Sequence, residues 1–197
     1  MDGVIPVFES LFKDQVRLKK SNNMKRDFLG DSYDLVNRFW CQVLVDWAPL
    51  FADPQFIPAD LRKEYNALTG IEILPNPPPE RFSIINDPDI GIRLPGEVNQ
   101  REARTHTTID AIISQLERLR PKCIITFDQS NYRNSRQTLK QQRSTKLGEL
   151  RARLKYGFYY VSHAPFLFTF SNQSDMEYVQ TLILEAGIPE GWIQFPT

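Results

Sequence analysis

Lys122-Cys123-Ile124-Ile125-Thr126-Phe127-Asp128-Gln129-Ser130 is the stretch on which the fold turns. Its apolar run is rich in β-branched residues and too short for a helix, and Pro121 stands just ahead of it. It therefore reads as a buried strand ending on an acid. Residues 107–119 before it carry Ile109, Ile112, Ile113, Leu116 and Leu119 at helical spacing behind a capping threonine. Residues 137–155 after it form a basic helical stretch with Leu139, Leu147, Leu150 and Leu154 as its apolar stripe and Gly157 as its stop. Helix, strand and helix in that order predict a parallel strand inside an α/β unit. In such sheets, ligands gather beyond the carboxyl ends of the strands, where Asp128 would stand.

Working outward, Asp31 or Ser32 caps a helix whose Val36, Phe39, Trp40, Val43, Leu44 and Trp47 recur at steps of three and four. Pro58 is placed to open a further helix that Gly70 ends, and Ile71–Leu74 reads as a brief strand. Phe82–Ile85 and Ile90–Leu94 flank Asp87-Pro88-Asp89 and read as a hairpin. Residues 96–106 read as a polar loop. Phe158–Val161 and Phe166–Phe170 are two aromatic strands around Ser162-His163-Ala164-Pro165. Ser174 with Glu177 makes a capping box for a helix ending at Gly187, and Trp192–Phe195 is a final short strand. The whole predicts one α/β domain over residues 1–197, a three-layer sandwich with a mixed, mainly parallel central sheet flanked by helices. Residues 1–26 read as an N-terminal helical extension.

The chain of 197 residues has 24 Lys and Arg against 24 Asp and Glu, but the charge is unevenly spread. Residues 101–155 hold thirteen basic residues against five acidic ones, compatible with a polyanionic partner such as nucleic acid or a nucleotide, or with solvated helix faces. Cys41 and Cys123 lie in apolar surroundings and read as free buried thiols of a reducing compartment. No signal peptide or membrane-spanning run is visible, so the expected setting is cytoplasmic, without a membrane partner. Phosphate-loop and dinucleotide glycine motifs are absent, as is a zinc pattern of Cys and His.

Three sets of residues could carry chemistry. Asp31, Asp34 and Asp128, with Asp87 or Asp89 as additions, would hold Mg²⁺ or Mn²⁺ if they converge, because hard cations prefer charged oxygens. The same acids also read as helix caps and turn residues. Tyr132, Arg133, Arg136, Lys140 and Arg143 could follow a phosphate backbone, or simply face solvent. His163, in Tyr159-Tyr160-Val161-Ser162-His163-Ala164-Pro165-Phe166, could act as a general acid or base or sit in a turn. The expected activity is a metal-dependent phosphodiesterase or nuclease. The alternatives are a nucleotide- or anion-binding module using His163, Tyr132 and Tyr160, and an interaction subunit using Trp192, Phe195 or Tyr178.

The motifs Phe28–Asp34 (FLGDSYD), Phe127–Ser130 (FDQS) and Tyr160–Phe166 (YVSHAPF) together resemble an uncharacterised group of bacterial proteins, from residue 27 onward. Leu29–Val36 is also similar to the opening of PIN-like nucleases, in which a strand, an Asp, a small hydroxyl residue and a helix follow one another. That resemblance implies metal-dependent nuclease chemistry, with Asp128 matching a later strand-end acid. The D-x-D of a HAD-type phosphatase is missing, since Gln129-Ser130 follows Asp128.

Overall fold

The computed structural model describes residues 29–94, 106–129 and 137–196. The helical extension expected over residues 1–26 lies outside them. In chain order the described elements are α1 (Ser32–Leu44), β1 (Leu50–Ala52), α2 (Arg62–Thr69), β2 (Glu72–Ile73), β3 (Ser83–Asn86), β4 (Gly91–Ile92) and β5 (His106–Thr107). They continue with α3 (Ile109–Leu119), β6 (Ile124–Phe127), α4 (Leu139–Ala152), β7 (Tyr156–Tyr160), β8 (Phe166–Phe170), α5 (Gln173–Glu185) and β9 (Ile193–Gln194).

Seven strands form the main sheet in the order β2-β1-β3-β6-β8-β7-β9. β2, β1, β3 and β6 are mutually parallel, while β8 runs antiparallel to both β6 and β7, and β9 antiparallel to β7. The sheet is thus mixed, with its parallel strands gathered at one end. The strand order reverses beside β1: the chain steps outward to β2, then returns across β1 to β3 and continues to β6.

Strand alternation divides the core into two layers. Ile85, Ile125, Phe127, Phe158, Tyr160, Phe166 and Phe168 face Trp40 and Leu44 of α1, Tyr65 of α2, and Val179 and Ile183 of α5. Ile84, Ile124, Tyr159 and Leu167 face Ile112 and Leu116 of α3, and Leu147 and Leu150 of α4. Trp40 is fully buried at the centre of the first layer, with edge-on contacts to Tyr160 and Phe168 at 5.0 and 5.1 Å. This is the sandwich that the alternation of apolar helices and strands predicts.

Several local expectations are corrected. β3 and β4 do not make a hairpin. β3 is taken into the parallel sheet between β1 and β6, and β4 pairs in parallel with β5 as a separate two-stranded sheet. Leu50–Ala52 forms a strand, although only three residues carry its signal. α2 begins at Arg62 rather than Pro58, after a turn in which the Leu61 amide donates to the Pro58 carbonyl. α4 stops near Arg153, with Leu154 at φ 55°, and Gly157 lies within β7. A Cβ on Gly157 would come 2.6 Å from the Phe168 carbonyl oxygen, so the glycine serves strand packing. α5 is capped by Asn172, whose side chain accepts from the Asp175 amide; Ser174 is already inside the helix. Of the two free cysteines, Cys123 is buried and Cys41 only half-buried.

Candidate functional site

α1 supplies one wall of a crevice at the carboxyl ends of β3 and β6. Its deeply buried positions are Asp34, Asn37, Trp40 and Leu44, so the stripe that is apolar in the core becomes polar at the helix N-terminus. Asp31 caps that terminus: Oδ1 accepts from the amides of Tyr33 at 2.8 Å and Asp34 at 3.4 Å. Asp34 Oδ2 accepts from the Gly30 amide at 2.6 Å. Gly30 reaches this position with φ 84°, in the left-handed region that glycine tolerates best.

The opposite wall follows β3. Asp87 comes immediately after the strand and accepts from Asn37 Nδ2 at 3.3 Å, with Pro88 and Asp89 continuing the lining. Phe127, Gln129 and Tyr33 close the third side. The Tyr33 and Phe127 rings meet edge-on at 5.1 Å, and Gln129 Nε2 donates to the Tyr33 hydroxyl at 2.6 Å. The cavity measures about 180 Å³.

Electrostatics set this crevice apart. Burial first, then the charge of Asp34 with smaller contributions from Asp31 and Asp89, pushes the Asp87 carboxyl from 3.8 up to about 7, against the hydrogen bond from Asn37. Asp34 is also raised, chiefly by burial and then by Asp31, against the Gly30 amide. Under them Tyr65 is fully buried, and its phenol is pushed up first by burial and then by the charges of Asp87 and Asp34. A carboxyl held up near neutral pH in a cleft, as Asp87 is, is common at sites of chemistry.

The structure brings Asp31, Asp34, Asp87 and Asp89 to one crevice but turns Asp128 away. Phe127 faces the α1 layer, so the alternation directs Asp128 to the α3–α4 side. There its Oδ2 receives Lys146 Nζ at 2.6 Å and the Tyr159 hydroxyl at 2.7 Å, and its Oδ1 receives the Ile92 amide at 2.9 Å. The Asp128 and Lys146 side chains are each 1% exposed. Burial pulls the Lys146 ammonium down, while the Asp128 carboxylate holds it up. A Cβ at Gly91 would lie 2.5 Å from Asp128 Oδ1 and 2.8 Å from its Cα, so only glycine lets β4 dock here. Asp128 therefore tethers the segment that follows Asp89, and the expected trio of Asp31, Asp34 and Asp128 is not assembled.

His163 is exposed at the rim, its ring 6.2 Å from that of Tyr33. Arg143 lies over the Tyr159 ring at 5.8 Å on the α4 side, and Lys140 is exposed on the same helix; neither lines the acidic crevice. Tyr132, Arg133 and Arg136 fall outside the described residues. Among the aromatics weighed as an interaction surface, Trp192 is 46% and Tyr178 51% exposed, while Phe195 is partly buried. Asn37 and Gln129 went unmarked in the sequence: an Asn in an amphipathic helix and a Gln after a strand carry no spacing signal. Among the described residues, no three His, Cys, Asp or Glu side chains already stand together as a metal-ligand group. No described helix is long and apolar enough to cross a membrane.

No family model, curated protein or solved structure matches the chain.

Proposed function

We propose that the protein is a Mg²⁺- or Mn²⁺-dependent hydrolase of phosphodiester bonds, with Asp31, Asp34 and Asp87 holding the cation. The observation that carries this reading is the gathering of Asp31, Asp34 and Asp87 at one crevice, where burial first and then the neighbouring acids keep the Asp87 proton on to about pH 7. A dication replaces that proton with a better neutralising charge, and hard cations take carboxylate oxygens. One oxygen of each acid is engaged by a hydrogen bond within the protein, which orients the carboxylates from outside the crevice. A phosphate ester entering an acidic cleft needs such a cation, which would also polarise the phosphoryl oxygen and lower the pKa of attacking water. Tyr33 and Phe127 offer an aromatic wall on which a base could stack. Tyr132, Arg133 and Arg136 follow Gln129 in the chain and are the proposed phosphate contacts, with His163 at the rim as the proposed acid or base.

The test is hydrolysis of bis(p-nitrophenyl) phosphate with Mn²⁺, by wild type and by Asp87→Asn. The reading requires metal-dependent turnover that falls at least about a hundredfold in the variant, the order associated with losing acid–base or charge-stabilising groups. Turnover unaffected by Asp87→Asn overturns it. A second reading, a non-catalytic binding module, is favoured by the lack of a ready three-ligand metal group among the described residues. It predicts saturable binding of an amine-bearing or nucleobase ligand in the crevice lined by Tyr33 and Phe127, with no turnover.

A further inference from the structure

A second crevice opens on the other face of the same sheet edge, where the strand order reverses between β1 and β3. That reversal separates the outward crossovers of the two halves and leaves a gap at the strand ends, the place where open α/β sheets take ligands. Asp53 leaves β1 here, and its amide donates to the Ile85 carbonyl at 3.0 Å. Asn86 ends β3, so successive residues serve two crevices: Asn86 this one and Asp87 the acidic one. The far wall is one face of α3, with Ser114, Gln115 and Arg118, and Phe56 adds an apolar surface. The cavity measures about 240 Å³.

The polar groups are already fixed. Gln115 and Asn86 exchange hydrogen bonds at 2.8 and 3.2 Å, and Gln115 Nε2 also donates to Asp53 Oδ2 at 2.5 Å. Asp53 Oδ1 accepts from the Gln55 amide at 2.7 Å. An ionised carboxylate has about four acceptor positions, so each oxygen keeps capacity for one more donor. A pair of neighbouring hydroxyls matches two such oxygens. Burial raises the Asp53 carboxyl, while the Gln55 amide and then the Arg118 guanidinium, exposed on α3, pull it back toward the ionised form. An anion would meet Arg118, while its hydroxyl-bearing end would meet Asp53.

We propose that this crevice binds a ribonucleoside monophosphate, with the ribose diol on Asp53 and the phosphate toward Arg118. The site stands independently of the hydrolase reading, since the two crevices share no lining residue. Isothermal titration of the full chain with AMP, GMP, CMP and UMP tests it, alongside the 2′,3′-dideoxy analogue of whichever binds. At least one monophosphate should bind with a dissociation constant below about 1 mM, and its dideoxy analogue roughly ten- to a hundredfold more weakly, the span of hydrogen bonds to a charged acceptor. Asp53→Asn should erase that discrimination. Arg118→Ala, at an exposed position that leaves folding intact, should weaken the monophosphate about tenfold and leave the nucleoside unchanged. Asp87→Asn should alter none of these affinities. Four results overturn the proposal: no monophosphate binding in that range, dideoxy binding as tight as ribose binding, discrimination surviving Asp53→Asn, or binding lost on Asp87→Asn.

Discussion

Replacing Lys146 by Met keeps most of the side-chain volume and removes the ammonium that faces Asp128. The pair is almost fully buried, at 1% exposure on each side, with an N–O distance of 2.6 Å. After the change, Asp128 still receives the Tyr159 hydroxyl and the Ile92 amide, but no longer the Lys146 ammonium. Removing one member of a buried ion pair costs about 3–5 kcal/mol, because the remaining charge stays out of water without its counter-charge. For a chain of this size each kcal/mol moves the midpoint by about 2–4 °C, so Lys146→Met should melt roughly 6–20 °C lower. Urea unfolding gives the free energy, and the double variant with Asp128→Leu closes the cycle. With both charges gone the double variant should recover much of the loss. A cost for Lys146→Met below about 1 kcal/mol, the range of exposed pairs such as Arg153–Asp110, would refute the reading of a buried structural tether. So would a double variant as unstable as the sum of its parts.

Tyr159→Phe removes a hydroxyl donor to Asp128 and should cost about 1–3 kcal/mol in the same urea assay without changing the fold's circular dichroism. Gly91→Ala should destabilise by more than about 1 kcal/mol, because φ is 130° and the new Cβ would meet the Asp128 backbone as well as its carboxylate; proteolysis between β3 and β5 should quicken in step. Trp40→Ala should cost about 3–5 kcal/mol, since it empties the centre of the α1-side core. The pH dependence of Asp87 has a definite sign. Its folded pKa, about 7, lies above the unfolded value near 3.8, so the folded state holds the proton more tightly. Its stabilising share is complete below about pH 4 and is lost as pH rises toward and through 7. Asp87→Asn should therefore gain stability relative to wild type between pH 4 and 8; melting curves that run parallel across that range would contradict the raised pKa.

Much of the architecture was legible because it rests on periodicity. The 3.6-residue spacing in residues 109–119 and the β-branched run at Ile124–Phe127 each have one low-energy reading, and both elements form where expected. Partnering was not legible. Phe82–Ile85 and Ile90–Leu94 look like hairpin arms because Asp87-Pro88-Asp89 has turn chemistry, yet burial of β3 on both faces draws it into the parallel sheet. β1 is three residues long and follows Pro49, too short for any period to register. With β1 unread, Asp53 could not be placed at a strand end, nor the reversal of strand order seen.

The site divides in the same way. Asp31 and Asp34 were legible because a cap and a first-turn acid three residues apart share one side of a helix terminus. Asp128 was legible as a strand-end acid but not in its direction. A single step in the β alternation decides whether such an acid enters a cleft or the core, and here it falls on the side of Lys146. That lysine belongs to a helix that reads as solvated from its composition, and it is 1% exposed. Asp87 accepts from Asn37 and joins Asp34 in the crevice, although turn chemistry alone makes it no better a candidate than Asp89.

The central claim is that a divalent cation belongs with Asp34 and Asp87 and not with Asp128. Thermal unfolding with and without millimolar Mn²⁺ tests it directly in wild type, Asp34→Asn, Asp87→Asn and Asp128→Asn. A cation at about 100 times its dissociation constant adds roughly 2.7 kcal/mol, several degrees for this chain. The prediction is a Mn²⁺ shift in wild type and in the less stable Asp128→Asn, and none in Asp34→Asn or Asp87→Asn. A shift that vanishes only in Asp128→Asn, or no shift in wild type, would contradict it.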